Sequence, residues 1–343
     1  MTLTILSPGP LATIQDPGRA GLRHQGVSAA GPMDPPAMML ANALAGNDPG
    51  AAAIEFAGFG GSFRAETDCR IAVTGGRIDI ALPGHKGVAG QAYRLRAGEE
   101  VRIGAIAGAT WGYLAISGGI AIPATLGSRA THLRSGLGGL HGRALQAGDA
   151  LPLGDFDPFD PCLAPAVSAP DDKDGPAEIR VVPGPQDDRF SAATLDRFAA
   201  EEFTVTPQRD RMAMVLDGPA LPAEGGHDIV SDGTVPGSVQ VPGSGRPLVL
   251  MAEAQTTGGY PKIATVIGAD LPRLAQLPTG SRFRFVPVAR DAAEEIWIDS
   301  RRRLRARLEA LRPKPEGALS SHYLLSCDLV GGIWSPEEVV WQS

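Results

Sequence analysis

Short runs of alternating apolar and polar residues recur along this chain, and helical periodicity is confined to a few segments. In "RIDIAL" (77–82), Ile78, Ile80 and Leu82 share one face while Arg77, Asp79 and Ala81 share the other. "SRFRFVPV" (281–288) repeats the pattern, with Phe283 and Phe285 set against Arg282 and Arg284. "EVRIGAI", "YLAIS", "EIRVV", "FTVT", "SVQV" and "LVLM" are further short runs, bounded by Gly or Pro. Such spacing predicts a mainly β protein of barrels or sandwiches rather than an alternating βαβ sheet.

The predicted helices are few. "GPMDPPAMMLANALAGN" offers Asp34 as an N-cap, prolines at the first helical positions and Gly46-Asn47 as a stop. A short helix is expected after Ser191. A longer one, from about Arg290 to Leu311, aligns Ile296, Leu304, Leu308 and Leu311 ahead of Pro313. "GDFDPFDPCLAPAVSAPDDKDGP" (154–176) punctuates the pattern with prolines and aspartates. It suggests an N-terminal β-barrel subdomain over 1–154, a linker over 155–177 and a C-terminal subdomain over 178–343, with a helix and a final strand. "AGEEVRI" (97–103), "AGDALPL" (147–153) and "TGSRFRF" (279–285) form a faint repeat in which a glycine turn feeds a strand.

Composition narrows the function classes. With 343 residues, 43% of them hydrophobic, and a net charge of -7, the chain reads as globular and lacks the basic face that nucleic acid needs. The basic cluster Arg301–Arg307 falls in the helical pattern, as a solvated face would. Its three cysteines are far apart and odd in number, which suits a reducing cytoplasm and predicts no disulfide framework. No signal-peptide pattern opens the sequence. Between Arg102 and Arg129 no residue is charged, but six glycines at 104, 108, 112, 118, 119 and 127, with Pro123, suit buried hairpins better than a membrane span.

Several chemistries lack their motif. There is no GxxxxGK[ST] phosphate loop, no GxSxG elbow and no metal-ligand spacing among the six histidines; His132 and His141 share a loop without accompanying carboxylates. "GLGGLHGR" (136–143) reads as loop rather than as a dinucleotide site.

Two polar stretches remain. In "EAQTTGGYPKIATVI" (253–267), Gln255, Thr256, Thr257, Gly258, Gly259, Tyr260 and Lys262 could make an oxyanion or carboxylate clamp. The glycines would take positive φ and expose N–H groups, and Lys262, one of only four lysines, would be an exposed amine able to donate a proton. The alternative is a tight turn with Tyr260 packed and Lys262 solvated. In "TIQDPGRAGLRHQG" (13–26), Gln15, Asp16 and Arg19 surround the Pro17-Gly18 turn. Arg19 could hold a carboxylate or a phosphate, or it could pair with Asp16 to brace the turn. Asp34 reads as a helix cap rather than an acid. Glu55, inside the apolar "AAIEFAGFGG", is a candidate perturbed carboxylate or a buried structural acceptor.

Taken together, "TIQDPGRAGLRHQGVSAAGPMDPPAMMLANALAGN", "AIEFAGFGG", "AVTGG", "GYLAISGGI", "GSVQVPGSGRPLVLMAEAQTTGGYPKIATVIGADL" and "LAQLPTGSRFRF" resemble the biotin-dependent carboxyltransferase / allophanate hydrolase subunit 2 family. The resemblance spans about residues 3 to 290. It implies cyclophilin-like β-barrel subdomains and a KipI-like B subunit as partner. Its first functional implication is the C subunit of an ATP-dependent 5-oxoprolinase, which turns 5-oxo-L-proline into L-glutamate together with a LamB/YcsF-like A subunit. ATP could then sit on another polypeptide of the complex. Two alternatives follow from the same family: a biotin-dependent carboxyltransferase component acting on urea or a related amide, and a KipA-type antagonist of a kinase inhibitor. Under the first, Lys262, Thr256, Gly258 and Gly259 are the expected catalytic group. Arg19, Gln15, Gln240, Gln255 and Tyr260 are the expected substrate contacts, and no metal is expected. Family members often carry Asp ahead of QTTGGYP, where this chain has Glu253-Ala254.

Overall fold

The computed structural model describes residues 1–165 and 177–314. In the first half, strands Thr2–Pro8, Phe59–Ala65, Arg77–Leu82, His85–Val88, Glu100–Ala107 and Ala150–Pro152 form a six-stranded sheet. Thr13–Gln15, Ala53–Ala57, Cys69–Thr74, Ala92–Leu95 and Trp111–Ile116 form a five-stranded sheet facing it. Leu3, Ile80 and Ile103 of the first sheet share one apolar core with Ile54, Phe56 and Leu114 of the second.

The opposite face of the five-stranded sheet is also covered. Ala53, Trp111 and Ala115 join Met38 and Leu44 of helix α1 (Pro35–Leu44) in a second core. A sheet buried on both faces needs no polar alternation, so Trp111–Ile116 is buried at every position. That accounts for the uncharged stretch, which is strand and turn as expected. Among the described residues no helix is long and apolar enough to cross a membrane.

The second half is a closed seven-stranded barrel. Its order around the ring is Ala177–Pro183, Lys262–Val266, Ser238–Gln240, Leu248–Leu250, Ala213–Asp217, Glu202–Arg209 and Arg282–Pro287. Phe203, Phe283 and Phe285 pack with Phe198 of α2 (Ala192–Ala200), Phe198 stacking on Phe285 at 4.7 Å between centroids. Helix α2 is capped by Ser191, which accepts from Thr194 N–H. The second core continues from α1 and Trp111 into this barrel, so the two halves share apolar contacts. Gln276, at the end of α3 (Leu271–Gln276), adds polar ones: its carbonyl accepts from Trp111 N–H at 2.9 Å and its amide donates to Asp34 at 2.9 Å.

The faint glycine repeat has one structural meaning at all three places. Gly98, Gly148 and Gly280 take φ of 84°, 90° and 86°, the left-handed region that favours glycine. Each donates its N–H to a strand carbonyl: Gly98 to Ala65, Gly148 to Ile5 and Gly280 to Val205, at 2.7, 2.8 and 2.8 Å. The same three strand residues then donate back to the carbonyls of Glu99, Asp149 and Ser281. One turn device therefore serves both halves.

One boundary differs from expectation. Helix α4 runs Arg290–Glu309, and Leu311 belongs to a strand, Leu311–Pro313, paired with Leu163–Pro165. Pro313 thus sits in a strand beyond the helix, which ends sooner than periodicity implied. Within the expected linker, residues 157–160 are tied down by the buried Arg70, which donates to the Asp157 and Asp160 carbonyls. The expected final strand around residues 323–334 lies outside the described residues.

Candidate active site

A cleft opens between the two halves, formed by two adjoining cavities of about 380 and 300 Å³. Both are bordered by Arg134 from the first half and by Met212 and Glu253 from the second. Gln255, Thr256 and Thr257 extend the wall of the larger cavity opposite His132 and Ser135.

The second-half wall is set by backbone pairing. Glu253 N–H donates to the Arg211 carbonyl and Met251 N–H to the Met212 carbonyl, both at 2.8 Å, which holds the two segments side by side. Arg211, 2% exposed at its side chain, is the centre of the floor. It pairs with Glu55 from the first half, donates to Glu253 at 2.6 Å, and reaches the Gly31 carbonyl at 2.5 Å. Glu55 accepts further from Met33 N–H at 2.7 Å and from the Tyr113 hydroxyl at 2.8 Å. Burial pushes the Glu55 carboxyl up, against the pull of Arg211. Burial, and then the Glu55 charge, push the Tyr113 phenol well above its ordinary value. For Arg211 burial acts downward, but Glu55 and Glu253 outweigh it and hold the guanidinium protonated. The expectation that Glu55 is a buried, hydrogen-bonded carboxylate is met; its partner, Arg211, lies 156 positions away.

The first-half wall is a short turn, Leu133–Ser135, with Gly136 at φ 61° closing it. His132 Nδ1 accepts from Ser135 N–H at 3.2 Å and lies 2.6 Å from Ser135 Oγ. His132 and Leu137 exchange two backbone hydrogen bonds, of 2.8 and 3.2 Å. Arg134 is exposed at the tip of this turn, and no hydrogen bond or ion pair engages it among the described residues. Arg23 ties the halves together from below Gly26: its guanidinium donates to the Thr234 carbonyl at 2.7 Å and the Gln255 carbonyl at 3.0 Å.

Of the residues singled out in sequence, Gln255, Thr256 and Thr257 border the cleft; Lys262, Gly258, Gly259, Arg19, Gln15, Gln240 and Tyr260 are not among the residues bordering the two cavities. Lys262 is not an exposed amine. It is 1% exposed, and Nζ lies 2.9 Å from Asp232. Asp232 is held down to about 2, chiefly by the Lys262 hydrogen bond and then by Gln186. Asp232 pairs in register with Gly258, and Gly233 with Thr257, in a two-stranded ribbon. Lys262 therefore braces the ribbon from which Thr257 reaches the cleft.

The glycine pair departs from expectation too. Neither Gly258 nor Gly259 takes a positive φ. Gly258 is tightly surrounded instead: a Cβ there would lie 2.4 Å from Gln240 Nε2, which would have to shift; at Gly259 the nearest atom would be 3.5 Å away. Gln240 is buried and its Nε2 has no partner among the described residues.

Arg19 is 1% exposed and spends its guanidinium on the Thr125 and Ala130 carbonyls, at 3.1 and 2.6 Å. Burial lowers its pKa. It anchors a loop through these two bonds, and its Nη1 is buried without a partner among the described residues. Asp16 braces the turn, as one reading had it, but through Gly18 N–H, Ser128 and Arg129 N–H rather than through Arg19. Gln15 is likewise buried, donating to Thr13 and to the Thr131 carbonyl. Tyr260 is 40% exposed rather than packed. Asp34 is the cap of α1, accepting from Ala37 N–H at 3.0 Å. Sequence reasoning passed over Arg134 and Arg211, whose surroundings come from distant segments. Among the described residues no cluster of His, Cys, Asp or Glu could hold a metal ion.

Comparison with known proteins agrees with this architecture. Residues 25–287 match the family model "Carboxyltransferase domain, subdomain A and B". The chain is 37% identical to the 5-oxoprolinase C subunit of Escherichia coli, covering 88% of this chain and 96% of that protein. Identity to the 5-oxoprolinase C subunit of Haemophilus influenzae is also 37%, over 88% of this chain and 98% of that protein. The solved structure of the K. lactis urea amidolyase superposes with a TM-score of 0.80 at 25% identity, over 92% of this chain and 21% of that one. This chain belongs to the carboxyltransferase family of subdomains A and B.

Proposed function

We propose that this chain is the C subunit of an ATP-dependent 5-oxoprolinase, which opens 5-oxo-L-proline to L-glutamate. The observation that carries the reading is 37% identity, over nearly the whole length, to two bacterial proteins of that name. The cleft suits the chemistry: it is small, and it offers a free guanidinium, a carboxylate, an amide and hydroxyls from fixed segments. A lactam carbonyl is a weak electrophile, so ATP is used to phosphorylate the amide oxygen with release of ADP; water then attacks that carbon, the ring C–N bond breaks and inorganic phosphate leaves. In this reading Thr256 and Gln255, which border the cleft, hydrogen-bond the ring amide, and Lys262 supports them through the ribbon.

In this reading the nucleotide binds outside this cleft. A polyphosphate calls for several free cations or a nest of N–H groups. This cleft offers Arg134, while Arg211 is already neutralised by Glu55 and Glu253, and Asp210 adds negative charge. The partners in this reading are a KipI-like B subunit and a LamB/YcsF-like A subunit, working in the cytoplasm. A second reading, carboxyl transfer from carboxybiotin to urea or a related amide, is supported by likeness to urea amidolyase at 30% identity in Lachancea kluyveri.

The test is reconstitution. The isolated chain is expected to fold and release negligible ADP with 5-oxo-L-proline, and adding its two cognate partner proteins restores turnover. A complete complex that ignores 5-oxo-L-proline but carboxylates urea in the presence of biotin carboxylase and carrier would move the chain to the second reading.

A further inference from the structure

Resting on that reading, we infer that Arg134 is the specificity-determining residue that recognises the substrate's carboxylate, with Glu253 facing the adjacent N–H. A cyclic amide acid such as 5-oxo-L-proline carries an anionic group one atom away from a lactam N–H donor. A site selective for it over a neutral amide needs a free cation and a nearby acceptor. Both Arg134 and Glu253 border both cavities, one from each half of the molecule.

The other arginines near the cleft already hold partners, although Arg23 and Arg19 each keep one buried nitrogen without a partner among the described residues. Arg211 is enclosed by Glu55, Glu253 and the Gly31 carbonyl, and Arg23 donates to the Thr234 and Gln255 carbonyls. Arg134 alone of these has no hydrogen bond or ion pair among the described residues. Its turn is nonetheless fixed, by Ser135 N–H on His132 Nδ1 and by the paired backbone bonds of His132 and Leu137. A planar guanidinium suits bidentate carboxylate binding, and the fixed turn confines the ordering cost to the side chain itself. Glu253 uses Oε1 on Arg211, and Oε2 carries no hydrogen bond among the described residues. Urea has no anionic group for Arg134 to hold, so this arginine separates anionic lactams from neutral amides.

The experiment uses the reconstituted complex with Arg134→Gln and Arg134→Lys, and two substrates, 5-oxo-L-proline and the carboxylate-free 2-pyrrolidinone. A lost charge-assisted contact is expected to raise KM for 5-oxo-L-proline roughly ten- to a hundredfold in Arg134→Gln. The kcat stays within about threefold, since the carboxylate is equally bound in ground and transition states. Arg134→Lys restores part of the loss, and lactam-stimulated ADP release with 2-pyrrolidinone is the same in all three proteins. Unchanged KM, or equal losses on both lactams, overturns the assignment. If the wild-type complex lacks oxoprolinase activity, the functional reading fails separately. Calorimetric binding of 5-oxo-L-proline to the full chain then decides about Arg134: weaker binding in Arg134→Gln sustains it, whereas equal binding or none by the wild type overturns it.

Discussion

Replacing Arg211 by leucine removes the cation that pairs with both carboxylates on the floor of the cleft. Its guanidinium is 2% exposed, and the variant leaves Glu55, itself 0% exposed, facing an apolar side chain. The Gly31 carbonyl and one Glu253 oxygen lose their donor as well. Breaking a buried pair from one side costs about 3–5 kcal/mol, mostly as the penalty of the stranded charge. At an m-value of about 3 kcal/mol/M, that lowers the urea midpoint by roughly 1–2 M. The pH dependence is more diagnostic than the size. Burial already raises the Glu55 carboxyl, and without Arg211 the opposing pull is gone. A carboxyl with a raised folded pKa favours the fold below its unfolded value of about 4.3 and loses that contribution as pH rises through the folded value. The deficit of Arg211→Leu is therefore smallest in acid and grows toward neutral pH. Urea unfolding of wild type and variant at a series of pH values measures it. A triple variant, Glu55→Gln, Arg211→Met and Glu253→Gln, removes all three charges together and is expected to recover most of the loss. A deficit under about 1 kcal/mol, flat with pH, would refute the assignment of a stranded charge.

The remaining predictions concern the ribbon beside the cleft. Lys262→Met is expected to lower kcat of the complex less than tenfold, because Lys262 positions the ribbon through Asp232; a loss beyond roughly a hundredfold would restore it as a transition-state donor. Gly258→Ala must displace the buried Gln240 amide and is expected to cost about 1–3 kcal/mol in denaturation, whereas Gly259→Ala meets only ordinary contacts and stays near neutral; equal effects would refute the spatial argument. The Asp232 carboxyl is held down to about 2, so its contribution is full above the ordinary aspartate value of about 4 and fades as pH falls through about 2. The melting-temperature gap between wild type and Asp232→Asn should accordingly be constant from neutral pH to about 5 and close in stronger acid.

Much of the fold was legible because local rules and tertiary structure agree. "RIDIAL" alternates and forms the strand Arg77–Leu82, buried at every second position. Asp34 and Ser191 cap the helices they precede, since a cap depends on residues within one turn. The glycine repeat carried real information, because a left-handed turn ahead of a strand needs the same residue in each place. The end of α4 was overestimated because Leu311 fits helical spacing as well as it fits a short strand, and only pairing with Leu163–Pro165 decides between them.

The site was legible only in part, and Lys262 explains why. A scarce lysine in a glycine-rich, hydroxyl-rich stretch has the composition of a catalytic loop, and composition does not say where the side chain goes. It enters the barrel strand Lys262–Val266 as a buried residue because Asp232, 30 positions upstream, comes back beside it in the ribbon. Arg134 is the converse case. Nothing in "THLRSG" (131–136) distinguishes one arginine among the chain's 31 basic residues. What distinguishes it is that the guanidiniums at 19, 23 and 211 each already hold a partner, and its own holds none among the described residues. Free valence in a cleft is a property of all the surrounding segments at once. A sequence read segment by segment therefore finds the residues that are unusual, whereas a structure finds those that are unspent.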